Sequence, residues 1–125
     1  MPIPLELLLA GRDLTESKVS PDGSTVAFVQ RWRGESAIMS VPISGGPERI
    51  VTTGPDPAPG RGLGGGCFDW LPDGFGLVYA AIDGELWLQS FDGSCRQLTT
   101  FERSCRAPSV APNGEFVVVA IDEAE

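Results

Sequence analysis

Ser20-Pro21-Asp22-Gly23 leads straight into Ser24-Thr25-Val26-Ala27-Phe28-Val29. The phrase returns as Leu71-Pro72-Asp73-Gly74 before Phe75-Gly76-Leu77-Val78-Tyr79-Ala80. It appears a third time as Ala111-Pro112-Asn113-Gly114 before Glu115-Phe116-Val117-Val118-Val119-Ala120. Proline presets φ near −65° for the first turn position, and Asp or Asn bonds its own backbone. Glycine then supplies the left-handed residue that closes a hairpin. Each copy is therefore a tight turn followed by an apolar strand, and three copies in one frame make a repeat.

Working outward, each turn sits inside a four-strand unit. In the first repeat the strands are expected at residues 18–19, 25–30, 37–43 and 48–52. In the second they fall at 66–71, 75–82, 85–91 and 95–99, with Asp83-Gly84 and Asp92-Gly93 as hairpin turns. The third gives 105–110 and 115–121. The prolines Pro21, Pro72 and Pro112 are spaced 51 and 40 residues apart. Removing about eleven residues of the Gly/Pro-rich stretch 54–65 brings both spacings to ~40, the period of a four-stranded propeller blade. The second strand of each unit is apolar at nearly every position, which requires cover on both faces. Stacked blades supply that cover, whereas a sandwich would show alternation.

The expected fold is all-β: a partial β-propeller of four-stranded antiparallel blades, with two blades and part of a third. Residues 1–16 form a lead-in carrying a short helix over 4–10, stopped at Gly11. Residues 17–53 form blade 1, 54–65 an inter-blade loop, 66–100 blade 2, and 101–125 an incomplete blade 3.

Composition limits the function classes. Sixteen glycines and eleven prolines in 125 residues favour short strands and turns over long helices. A net charge of −8, with nine scattered basic residues of which Lys18 is the one lysine, argues against a nucleic-acid partner. With no histidine, and with Cys67, Cys95 and Cys105 at no metal-ligand spacing, neither metal nor cofactor is expected. Three reduced thiols, a start lacking a charged lead, and no apolar run of ~20 residues point to a cytoplasmic protein without a membrane partner.

The order Phe68-Asp69-Trp70-Leu71-Pro72-Asp73-Gly74, then Gly84-Glu85-Leu86-Trp87-Leu88, then Arg96-Gln97-Leu98-Thr99, resembles the TolB-type, WD-like propeller repeat. The opening, from Gly11-Arg12-Asp13-Leu14 through the first turn to Val29, is similar to the start of the propeller in prolyl oligopeptidase-family serine peptidases. In that family the propeller caps an α/β-hydrolase domain and restricts which peptides enter. The resemblance implies a non-catalytic gating segment, with the hydrolase domain or a peptide substrate as partner. The chain has no G-x-S-x-G and no histidine, so it lacks the Ser/Asp/His machinery. Glu123 and Glu125 do not match the paired glutamates by which some members grip an amino terminus. The alternative is a TolB-like interaction module that binds a protein partner. Exposed strand edges on the valine-rich sheet around Val118 lead to the expectation of a truncated product, a fragment, or a chain that self-associates to complete the ring.

No catalytic, cofactor or metal residue is assigned. Gly60-Arg61-Gly62-Leu63-Gly64-Gly65 matches G-x-G-x-x-G in letters, but lacks the preceding strand and following helix of a dinucleotide site. Trp70 and Trp87 are expected to pack between blades. Asp22 and Asp73 read as turn residues, since no calcium-loop array accompanies them. Arg31-Trp32-Arg33 and Glu102-Arg103 read as solvated edges.

Overall fold

The structure is a computed structural model and describes residues 13–59 and 66–122. The expected helix over 4–10, the Gly60 to Gly65 motif, Glu123 and Glu125 lie outside the described residues.

Among the described residues, ten strands form three antiparallel sheets. β1 (Asp13–Val19), β2 (Thr25–Trp32), β3 (Glu35–Pro42) and β4 (Arg49–Ile50) make the first sheet, in that order. β5 (Phe68–Trp70), β6 (Gly76–Ala80), β7 (Leu86–Ser90) and β8 (Cys95–Gln97) repeat it. β9 (Cys105–Val110) and β10 (Val117–Ile121) pair as a two-stranded sheet. The architecture is a partial β-propeller.

The three turns superpose bond for bond. The N–H groups of Gly23, Gly74 and Gly114 donate to the carbonyls of Ser20, Leu71 and Ala111 at 2.9, 2.9 and 2.8 Å. The N–H groups of Ser20, Leu71 and Ala111 donate in turn to Thr25, Gly76 and Phe116. Oδ1 of Asp22, Asp73 and Asn113 accepts the N–H two residues on, at 3.0, 2.9 and 3.0 Å. The closing glycines have φ of 76°, 76° and 74°, where any side chain would be strained.

Packing joins the sheets through β6, whose successive side chains point to opposite faces. Leu77, Tyr79 and Ala81 share a buried cluster with Ala27, Val29 and Ile38 of the first sheet. Val78 and Ala80 face the other way, into a cluster with Leu86 and Cys105 that Val110, Val117 and Val119 flank. Gly76 is required by closeness: a Cβ there would lie 2.6 Å from the Gln89 carbonyl oxygen.

The strand limits differ from the expectations in physical ways. β1 reaches back to Asp13, into the segment read as lead-in, because Asp13 and Leu14 continue the ladder opposite Arg31 and Gln30. Phe75 and Ile82 fall outside β6 and are exposed, since the backbone there is already turning. β4 narrows to Arg49–Ile50, and β10 starts at Val117. The third apolar run does not have the two covered faces expected of it. Val117 and Val119 pack on the second sheet, but Phe116 and Val118 are 59% and 62% exposed, with no sheet among the described residues over them.

The Pro-rich link between blades is held along residues 53–59. Ala58 N–H donates to Ala80, and Ile82 N–H to Asp56, taking up backbone groups beyond the end of β5. The Tyr79 hydroxyl donates to the Pro55 carbonyl at 2.8 Å. Gln89, fully buried, accepts the Thr53 N–H at 2.8 Å and donates to the Ser90 and Ser94 carbonyls.

Candidate functional site

The first strand of each unit delivers corresponding residues to one cleft of about 540 Å³. Val19, Trp70 and Val110 stand two positions before the turn prolines, and Pro21, Pro72 and Pro112 form the rim. Lys18 and Asp69 occupy the next matching position inward. The cleft thus follows from the repeat: one strand geometry, stacked, brings like positions together.

Lys18, Asp69 and the Trp70 indole bring polar groups to its floor. The Trp70 indole N–H donates to the Lys18 carbonyl at 3.0 Å, and the ring packs edge-on against Phe91 at 5.2 Å. The Lys18 ammonium lies 3.8 Å from Asp69 Oδ1 and 5.7 Å from the Phe68 ring centre. Asp69 Oδ2 accepts the Val110 N–H at 2.8 Å, so one carboxylate ties all three sheets. Beside it, Glu16 Oε1 accepts the Cys67 N–H across the first two sheets at 2.5 Å. Glu16 reaches it from a bulge in β1, with φ of 55°, a conformation that L-residues other than Gly, Asn and Asp rarely adopt.

Electrostatics separate rim from core. On the rim, the hydroxyls of Ser20 and Ser24 and the Ser24 N–H hold the Asp22 carboxyl down at about 2. In the core, burial and then the nearby Glu16 carboxylate push the Cys67 thiol up to about 12. Burial likewise raises Cys105 and Tyr79. Cys67, Cys105 and Tyr79 are therefore held neutral near neutral pH, and are poor nucleophiles. The cleft offers an apolar rim over a paired charge, which is an arrangement for contact.

Outside the cleft, Trp87 is half-buried beside the first cluster, with its indole N–H on Asp83 Oδ2 at 3.0 Å. Arg33 stacks its guanidinium 4.6 Å from the Trp32 ring centre at the end of β2. Glu85 binds the next linker, accepting from the Thr99 hydroxyl and the Phe101 and Glu102 N–H groups, and these bonds lower its carboxyl pKa. The sequence reading missed Lys18 and Asp69 as partners. Their matching position, three residues before a turn proline, is the signal that would have paired them. Among the described residues no helix is long and apolar enough to cross a membrane.

No protein-family model and no curated protein matches the sequence. Likeness appears in three dimensions. TolB from Acinetobacter baumannii matches with a TM-score of 0.66 at 17% identity, over 82% of this chain and 25% of that one. The fold is TolB-like. The chain spans about a quarter of the length of that protein.

Proposed function

We propose that this chain is a non-catalytic propeller segment that serves as a protein-interaction module and takes its partner at the cleft between the turn prolines. The observation that carries this reading is convergence: three repeats place matching apolar side chains around a single Lys18–Asp69 pair. A net charge of −8 and exposed aspartates on the turn rim favour a partner segment with basic residues, drawn in electrostatically and seated on proline and valine. Engaged backbone and side-chain polar groups pre-organise the floor, which lowers the ordering cost of binding. The assignment to the cytoplasm belongs to the same proposal and rests on the three thiols.

The test is titration of the full chain with a panel of extended synthetic peptides, basic, neutral and acidic, followed by NMR or fluorescence. Basic peptides should bind best, and Asp73→Asn or Pro72→Ala should weaken them. Binding that ignores both substitutions, or no binding by any peptide, overturns the reading. The narrower role, gating a prolyl oligopeptidase-like hydrolase domain, is supported by the similarity of residues 11–29 alone. A G-x-S-x-G motif encoded in the same reading frame would favour it.

A further inference from the structure

Asn113 is the chain's one asparagine, and a glycine follows it. It occupies the turn position that Asp22 and Asp73 hold in the other repeats, with the same Oδ1 bond to the N–H two residues on. We propose that Asn113-Gly114 is a site of slow spontaneous deamidation, and that its aspartate product is accepted because two sister turns are already built on aspartate.

The chemistry is local. The Gly114 nitrogen gives up its proton to solvent base and bonds to the Asn113 side-chain carbonyl carbon. The Cγ–Nδ2 bond breaks, and the amide leaves as ammonia once a proton is returned to it. Water then opens the five-membered imide at either carbonyl, giving aspartate or isoaspartate. No electrons are exchanged. Glycine leaves the attacking nitrogen unhindered, because it carries no side chain.

The fold restrains this reaction without abolishing it. The Gly114 N–H is engaged by the Ala111 carbonyl at 2.8 Å, so attack must wait for the turn to open. That turn is exposed and adjoins the sheet with an uncovered face, where local opening costs least. Deamidation to aspartate would add a third carboxylate to a rim that already carries Asp22 and Asp73. Isoaspartate, with an extra backbone methylene, would break the shared bond pattern.

The experiment follows the full chain in mildly alkaline buffer, folded and in denaturant, by mass spectrometry of the peptide containing residue 113. Denatured chain should gain the mass of an NH-to-O exchange at Asn113, and folded chain should do so at least about tenfold more slowly. The variant Asn113→Asp should melt at the parent's temperature. Equal rates in the two states overturn the proposal, as does a denatured chain that stays unmodified. A clearly lowered melting temperature for Asn113→Asp overturns the claim that aspartate is accepted.

Discussion

β6 and β10 are written in nearly the same apolar alphabet, GLVYA against VVVAI, yet they meet different surroundings. β6 is buried at all five positions, sandwiched between the first and third sheets. β10 alternates between half-buried and exposed residues, because among the described residues a sheet lies against its Val117 and Val119 side and none against the other. An apolar strand is a demand for neighbours, and whether the demand is met depends on stacking. The two interfaces differ as well. The first joins aromatic packing to polar ties through Trp70, Glu16 and Gln89, while the second is mainly aliphatic and leans on Asp69.

The largest expected break is at the first interface. Trp70→Ala should cost about 3–5 kcal/mol in urea denaturation, since it removes a buried ring and its bond to Lys18. A loss below about 1 kcal/mol would show that the ring does not join the sheets. Next, Gln89→Ala should cost about 1–3 kcal/mol by stranding the Thr53 N–H. Thermal melts would show this, and an unchanged midpoint would deny the link any role.

Titration sharpens the contrast between core and rim. The folded Cys67 thiol titrates near about 12 instead of 9.0, so its contribution is complete below pH 9.0 and is lost as pH rises toward 12. Cys67→Ala should reduce the fall in stability across that window, leaving the part due to Cys105 and Tyr79. Asp22 runs the other way. Its carboxyl is lowered from 3.8 to about 2, so its contribution is present above 3.8 and disappears as pH falls toward 2. Asp22→Asn should remove that acid sensitivity, measured as the midpoint against pH. The smallest effect belongs to β10: Val118→Ala should change stability by no more than about 0.5 kcal/mol. A larger loss would mean that its outer face is covered after all.

Much of the fold was legible because its signals are local. Proline, aspartate and glycine fix each turn within four residues, and the apolar run that follows fixes the strand. The alternate facing of Leu77 and Val78 follows from the pleat once both faces are assigned cover. The cleft was less legible. Lys18 and Asp69 meet only through stacking of sheets, and no short-range pattern announces a charge pair across two repeats. Nor could sequence place the bulge at Glu16, whose side chain accepts the N–H of Cys67, the residue just before β5. The cover expected for Val118 is absent among the described residues for the same reason, since neighbours are a property of assembly.

The tie from the Trp70 indole to the Lys18 carbonyl spans 52 positions, while the turns within each sheet close over a few residues. Hairpins can zip early at little entropic cost, and the seams between them must then wait for long closures. Refolding should therefore show strand signals before tryptophan fluorescence reaches its native value. The indole would be the late reporter, lighting up only when two finished sheets have met.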